Sequence, residues 1–425
     1  MVVTTPNHAR IETLLAALDR AWGVGQDGVE TRIVRAPGSV NLMGDHTELS
    51  EGFVLPAAIE LDTWIAFRSR RDGLVRVVSQ QLVEAGAFWI DALAPDLSRS
   101  AAASTAGRAA GLIAAADHHG SQLGPIGIWS DYTAGAAWSL REAALPVRGL
   151  EGCVDTTIPI GAGLASSAAL EVASALALLG GGHVLSGPAL ASIAQRAERD
   201  FVGVDSGIVH QMASAAGREN KAMLLDCRTL ETRFVALPYG VDIVICDTGE
   251  RSGRRSPELL ARRADCARVV ALLAERLPGL CSLRDLDTAS LRRHGALLPE
   301  GAARRAEHVV AENGRVVATA AALEAGDLAA LGHLFAESHA SLRDLYEVST
   351  PALDAMVDVA RAVPGVIASR MTGAGFGGCT VNLVLADAVP ALEAAVASEY
   401  VRRTRLKPNV YRVGLAGGAG PVVRV

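Results

Sequence analysis

A glycine-rich stretch near the end of the chain limits the folds that are open to it. The segment SRMTGAGFGGCTVNLV, residues 369–384, has four glycines within 373–378 and continues as an apolar, strand-like run. Glycine loses more conformational entropy on folding than any other residue, so this density of glycine needs a structural reason. Two reasons are available, a tight turn or a backbone that closely approaches a ligand, most often a phosphate group.

The composition argues against several classes of protein. The 425 residues are enough for two or three packed domains, and a net charge of -6 gives no reason to expect nucleic acid or an anionic membrane as a partner. No apolar run is long enough for a transmembrane helix, and charged residues interrupt the N-terminal region where a signal peptide would lie. The six cysteines have neither C-x-x-C nor metal-ligand spacing, so we expect reduced thiols and a cytoplasmic location.

The order of predicted elements indicates an α+β fold. Strand-like and helix-like segments follow each other without regular βαβ alternation. The pattern changes from mixed α/β to mostly helical near 225–240, which predicts two domains, 1–230 and 231–425. Helices are expected at 9–22, 101–117, 168–179, 187–202, 256–277, 303–324, 327–345 and 351–362.

A second glycine motif lies at the start of a predicted helix. Free N–H groups at a helix N-terminus, together with the helix dipole, make an anion site, and the two serines here can donate hydroxyls to phosphate or Mg²⁺. A capped helix after a tight turn is the simpler alternative. The candidate ATP-binding residues of this motif are Gly161, Gly163, Leu164, Ala165, Ser166 and Ser167.

A third candidate segment, which is rich in polar side chains, follows the Pro37-Gly38 turn. Asp45, His46 and Glu48 fall within four residues of the segment APGSVNLMGDHTELSEGFVLP, residues 36–56. Their side chains suit hydrogen bonding to a polyol, although a solvated loop would have the same composition.

Taken in order, the segments APGSVNLMGDHTELSEGFVLP, PIGAGLASSAALEVA and SRMTGAGFGGCTVNLV resemble the three signature motifs of the GHMP small-molecule kinases, and the chain looks most like galactokinases. The resemblance implies two lobes with ATP and a sugar in the cleft between them. It also implies transfer of the γ-phosphate to the anomeric hydroxyl, with Gly373 and Gly375 near the phosphates. Ser167 and Glu198 match the Mg²⁺ positions, although Glu198 would otherwise be read as a surface carboxylate.

The chain departs from the family pattern on the sugar side. The resemblance gives an arginine at the position of Ser39 and an aspartate at that of His210, both credited with catalysis. Leu259 stands where a tyrosine packs near the sugar. A neutral imidazole can accept a proton, so His210 remains a catalytic candidate together with Ser39. The candidate substrate-binding residues are Asp45, His46, Glu48, Gly207 and Leu259.

Three hypotheses follow from these departures. The first is an ATP- and Mg²⁺-dependent sugar 1-kinase whose acceptor is not galactose but an unusual or larger sugar. The second is a non-catalytic regulator that binds ATP and a sugar, and the third is an ordinary galactokinase with compensating substitutions. Arg251, Arg254 or Arg255 could replace the arginine missing at Ser39.

Overall fold

The structure, a computed structural model, describes residues 8–25, 29–82, 84–95, 124–125, 127–181, 185–251 and 257–422. Its strands, numbered β1 to β13, are Thr31–Asn41, Phe53–Val54, Pro56–Arg70, Leu74–Ser79, Gly86–Trp89, Gly149–Thr156, Lys221–Asp226, Thr232–Ala236, Val241–Asp247, Val366–Thr372, Cys379–Leu385, Asn409–Val413 and Gly420–Pro421. Its α-helices are His8–Trp22, Asp131–Glu142, Ser166–Leu178, Gly187–Arg196, Val209–Ala216, Pro257–Ala274, Thr288–His294, Glu300–Ala325, Leu328–Ser341, Pro351–Arg361, Val389–Ala395 and Val401–Thr404.

A six-stranded sheet organises the first lobe, in the order β13-β1-β3-β6-β4-β5. The long antiparallel pair of β1 and β3 shifts register between Pro37 and Ser39. Proline has no N–H to donate to a neighbouring strand, so an irregularity is expected beside it. Because of this shift the Ser39 N–H donates to the carbonyl of Leu164, 3.3 Å away in the second glycine motif.

A four-stranded sheet, in the order β10-β11-β9-β12, organises the second lobe, and β2, β7 and β8 form a small separate sheet. The largest hydrophobic cluster fills the first lobe and reaches into the second through β9 and β11. A second cluster lies among the helices Pro257–Ala274 and Glu300–Ala325 and includes Tyr346. The site described below lies where these elements meet.

The predicted α+β class is confirmed, and most predicted helices are present within a few residues of their expected bounds. The helix expected at 101–117 lies outside the described residues. The helix Asp131–Glu142 was missed because its three alanines, one glycine and one serine give little amphipathic pattern, although nine of its residues are buried. The boundary near 225–240 stays a prediction. None of the described helices combines the length and apolarity needed to cross a membrane.

Candidate active site

A cleft of about 980 Å³ brings the three sequence motifs together. The predicted residues that line it are Asp45, His46, Glu48, Gly161, Gly163, Ala165, Ser166, Ser167, Glu198, Gly207, His210, Gly373 and Gly375. Three predicted residues do not line it. Ser39 and Leu164 are buried directly behind it, and Leu259 is buried with 1% of its surface exposed. An apolar leucine gains more from packing inward than from facing a polar cleft, which explains why Leu259 does not border the predicted sugar site.

The second glycine motif forms a loop with left-handed backbone geometry at Gly161, Gly163 and Ala165, whose φ angles are 78°, 81° and 59°. Ala165 is the N-cap of the helix Ser166–Leu178, and no side chain caps this terminus. The simpler alternative of a serine-capped helix is therefore not what the structure shows. The first N–H groups of the helix remain available for an anion beside the cleft.

Ser167 and Glu198 meet at the start of this helix. The Ser167 hydroxyl lies 3.1 Å from Oε1 of Glu198, and Nε2 of Gln211 donates to Oε2 of Glu198 at 2.8 Å. Glu198 lies in a π-helical turn, Ala197–Val202, and is 1% exposed, so it is not a surface carboxylate. The pair presents only oxygen ligands, the type that a hard divalent cation prefers. Among the described residues no group of three or more His, Cys, Asp or Glu could hold a metal by itself.

The third glycine motif forms a tight turn, the first of the two reasons expected from the sequence. Gly373, Gly375, Gly377 and Gly378 all have left-handed φ angles, between 81° and 121°. A Cβ on Gly375 would lie 2.5 Å from the carbonyl oxygen of Val348, closer than packing allows. Cβ atoms on Gly373 and Gly378 would face the carbonyls of the second glycine motif at 4.0 and 3.8 Å. The motif is therefore a tight turn that also lies against the phosphate-loop candidate.

Asp45 connects the first motif to the third. Its Oδ2 accepts a hydrogen bond from Nη2 of Arg370 at 2.5 Å, and its Oδ1 accepts from the N–H of Gly373 at 3.0 Å and from Nδ2 of Asn41 at 3.3 Å. Burial raises the pKa of Asp45, against the opposing effect of the Arg370 guanidinium. Its carboxylate is thus largely occupied by protein contacts, and Arg370 is itself fully buried.

A buried polar network lies behind Asp45. Glu312 accepts hydrogen bonds from the N–H of Gly44 at 3.2 Å and from the Ser338 hydroxyl at 2.6 Å. Although burial acts to raise it, the pKa of Glu312 is lowered to about 2 by Arg315 and other nearby cationic groups. Burial lowers the pKa of His308, which contacts the carbonyl of Asp45 at 3.1 Å, to about 4.

His46 is held in the cleft by an aromatic stack. Its ring lies 4.3 Å from that of Tyr346 at an interplanar angle of 19°, and its backbone has a φ angle of 70°. Burial lowers its pKa well below the usual value, so the imidazole is neutral near pH 7. The buried Nε2 has no hydrogen-bond partner among the described residues. A buried, unpaired ring nitrogen in a cleft suits contact with a substrate hydroxyl.

His210 is anchored by Ser39. The Ser39 hydroxyl lies 2.9 Å from Nδ1 of His210, and Ser39 is fully buried. His210 lies near the start of the helix Val209–Ala216 and lines the cleft. The two departures from the family pattern therefore contact each other.

Several residues of the site were not predicted from the sequence: Arg370, Glu312, His308, Tyr346, Asn41 and Arg263. Their contacts depend on the fold and not on closeness in the sequence. Asp45 and Arg370, for example, are more than 300 residues apart. Asn41 and Arg370 lie inside the first and third motif segments, but nothing local marks them as site residues.

Profiles of three protein families match the chain. The galactokinase galactose-binding signature matches residues 25–69, the N-terminal domain of GHMP kinases matches 131–218, and the C-terminal domain matches 319–402. A galactokinase of Chloroflexus aurantiacus is 41% identical over 408 residues, which cover 95% of this chain and 96% of the relative. The chain belongs to the galactokinase group of the GHMP kinases. A Roseiflexus galactokinase is 40% identical over 92% of this chain and 93% of that relative.

Solved structures agree with this membership. The crystal structure of Lactococcus lactis galactokinase complexed with galactose matches with a TM-score of 0.83 and 30% identity, and the match covers 96% of this chain and 99% of that one. Methanococcus jannaschii mevalonate kinase, at 15% identity and a TM-score of 0.60, shares the fold. The predicted two-lobed GHMP kinase fold and the prediction of a sugar kinase are confirmed. The comparisons give no support to the prediction that this galactokinase-type kinase uses an acceptor other than galactose.

Proposed function

We propose that the chain transfers the γ-phosphate of ATP to the anomeric hydroxyl of an aldose. One observation carries this proposal: a single cleft is lined by an uncapped helix N-terminus with the Ser167–Glu198 pair and by the polar side chains Asp45, His46 and Glu48. The first group suits a nucleotide phosphate, and the second suits a polyol. Phosphoryl transfer depends mainly on positioning and electrostatic stabilisation, which such a cleft provides.

The nucleotide side of the cleft has candidate groups for binding both the phosphates and Mg²⁺. The backbone of residues 161–167 would bind the phosphates; Gly373 lies next to that loop, and Gly375 lines the same cleft. Ser167 and Glu198 would hold Mg²⁺, which would neutralise phosphate charge when bound. The position of Glu198 supports this role, because its buried carboxylate lines the cleft and contacts the Ser167 hydroxyl.

On the acceptor side, His210 would orient or deprotonate the anomeric hydroxyl. Its ring is fixed through Nδ1 by the buried hydroxyl of Ser39. A strong base is not required for phosphoryl transfer through a loose transition state, so an imidazole is sufficient.

Arg251 would supply positive charge near the phosphates in place of the arginine that the family pattern gives at Ser39. Its Cδ lies 3.6 Å from the point that a Cβ on Gly161 would occupy. Both of its terminal nitrogens bind the fully buried carboxylate of Asp247, at 2.7 and 2.9 Å, which holds the side chain beside the loop. Arg254 and Arg255 lie outside the described residues.

We further propose that the acceptor is an aldose other than galactose, possessing a different shape or a larger size. The carboxylate of Asp45 accepts hydrogen bonds from Arg370 and Gly373, so its oxygens are less available to a sugar hydroxyl. Ser39 and His210 change the groups nearest the reacting hydroxyl. The names of the relatives at about 40% identity favour the alternative, galactose as the acceptor with compensating substitutions.

The test is to incubate the purified protein with Mg·ATP and a panel of reducing sugars from pentoses to octoses, galactose included, and to measure ADP and sugar phosphate by mass. A 1-phosphate of an aldose other than galactose is the expected product. Galactose 1-phosphate as the main product would establish the alternative acceptor. ATP binding without any product would overturn the kinase proposal and favour the non-catalytic regulator.

A further inference from the structure

Arg263 is the only arginine or lysine among the described residues that line the cleft. It belongs to the helix Pro257–Ala274, and 18% of its side chain is exposed. The lining otherwise carries acidic side chains, namely Asp45, Glu48, Asp131, Glu198 and Asp205. A single cation in such surroundings has a strong effect on the geometry of the acidic groups that it contacts.

The contact that Arg263 makes joins two different hydrophobic clusters. Its Nη1 donates to the carbonyl oxygen of Asp205 at 2.5 Å and to Oδ2 of the same residue at 3.0 Å. Cys266 anchors the Arg263 helix in the second cluster, whereas Phe201 and Ile208 anchor the Asp205 segment in the first. Since the bond engages both backbone and side chain of Asp205, it fixes the path of that segment.

The segment 203–208 lies next to two candidate elements of the acceptor site, the side chain of Glu48 and the helix that carries His210. A Cβ on Gly207 would lie 2.3 Å from Cγ of Glu48, so the backbone here is pressed against a candidate sugar-binding side chain. Two residues after the segment comes His210, which lies in the helix Val209–Ala216. A shift of the segment would therefore move a wall of the acceptor pocket and the side chain that faces the acceptor hydroxyl.

We propose that Arg263 is a positioning residue that locks the segment 203–208 across the cleft and so sets the width of the acceptor pocket. The structural part of this proposal stands on the contact with Asp205 alone. Its kinetic consequence rests on the proposed function, in which the pocket holds an aldose.

The structural part is tested by hydrogen exchange followed by mass spectrometry on the full chain. In Arg263→Ala, peptides covering 203–208 should exchange about tenfold faster than in the unmodified protein, because their cross-cleft tether is lost. Arg268 is an exposed arginine on the same helix, so Arg268→Ala controls for the loss of charge and of helix side chain. Equal exchange of 203–208 in the Arg263→Ala and unmodified proteins would overturn the proposal.

The kinetic part uses the aldose that the sugar panel identifies. Arg263→Ala should raise KM for the sugar about tenfold and leave KM for ATP within about twofold, the size expected for one charge-assisted contact. Arg263→Lys should recover part of the loss, and Asp205→Asn should have a smaller effect because the carbonyl acceptor remains. Equal changes in both KM values would overturn the positioning role. Absence of any sugar phosphate from the unmodified protein would instead refute the proposed function, and hydrogen exchange would still decide whether the lock exists.

Discussion

At the scale of single residues, the pair of Ser39 and His210 distinguishes this cleft. The family pattern places an arginine and an aspartate there, which are oppositely charged. Here a hydroxyl and an imidazole meet at 2.9 Å, so the two positions still form a hydrogen bond but hold neither an arginine nor a carboxylate. Electrostatic stabilisation of the transferred phosphoryl group would then have to come from another group, for which Arg251 beside Gly161 is our proposal.

Restoring the family pair tests this view. The double substitution Ser39→Arg with His210→Asp should raise kcat/KM for galactose by about tenfold or more, because it returns both the cation and the carboxylate. Steady-state kinetics measures the gain, and thermal unfolding shows whether the larger side chain is tolerated at the buried position of Ser39. A folded double variant with unchanged galactose activity would show that Asp45 and its neighbours determine specificity.

The role of Glu198 makes a second prediction. Glu198→Gln should lower kcat about 100-fold and raise the Mg²⁺ concentration needed for half-maximal activity, since the amide is a weaker ligand for a hard cation. Glu171→Gln is the matched control, because Glu171 is also buried and accepts from Gln211 at 3.2 Å but does not line the cleft. The two variants are compared by Mg²⁺ titration of initial rates. Similar losses in both would assign Glu198 a purely structural role.

At the scale of elements, the three loops around the cleft support each other through backbone contacts. The turn at 373–378 packs between the carbonyl of Val348 and the loop at 161–167, so its shape depends on glycine at several positions. Such left-handed positions are strained for any other residue.

Glycine substitutions test this dependence. Gly375→Ala should lower the free energy of unfolding by about 1–3 kcal/mol, because the φ angle is 81° and the added Cβ would lie 2.5 Å from the Val348 carbonyl oxygen. Gly314 lies in the helix Glu300–Ala325 with no heavy atom near its Cβ position, so Gly314→Ala should raise stability by about 0.5–1 kcal/mol. Urea unfolding measures both. A Gly375→Ala protein as stable as the unmodified one would refute the packing argument.

Sequence reasoning was most informative for those parts of the site whose residues are neighbours in the chain. The loop 161–167 and the turn 373–378 could be predicted, because their residues are neighbours and their glycines have a clear physical reason. Leu259 was assigned to the acceptor pocket by position alone, and its burial depends on packing that no single sequence displays. Arg263 and Arg370 act through partners far away in the sequence, so nothing local distinguishes them from other arginines.

At the scale of the whole molecule, a buried network of charged and polar groups links the lobes behind the cleft. Glu312 and His308 of the helix Glu300–Ala325 contact the first motif through Gly44 and Asp45. Buried ionisable groups of this kind make stability depend on pH.

The direction of this dependence follows from the two lowered pKa values. His308 titrates near 6.5 when unfolded and at about 4 when folded, so the unfolded chain binds more protons between these values and stability decreases as pH falls through that window. Glu312, lowered from 4.5 to about 2, removes further stability between those two values. Chemical unfolding at a series of pH values measures the profile.

His308→Gln should flatten the first part of the profile, between pH 6.5 and 4. His333 is 72% exposed, so His333→Gln serves as the control and should leave the profile unchanged. An unaltered slope in the His308 variant would show that other groups cause the acid sensitivity.

The return of the chain to its first sheet has a mechanical consequence. The last strand, β13, pairs with β1 at Val34 and Arg35, and the N–H of Ala416 donates to the carbonyl of Ala58. The polypeptide thus passes from the first lobe to the second after β8 and comes back before β13. Two separate stretches of chain therefore connect the lobes. Any change in the relative position of the lobes has to be accommodated by both stretches at once, because neither lobe hangs from a single connection.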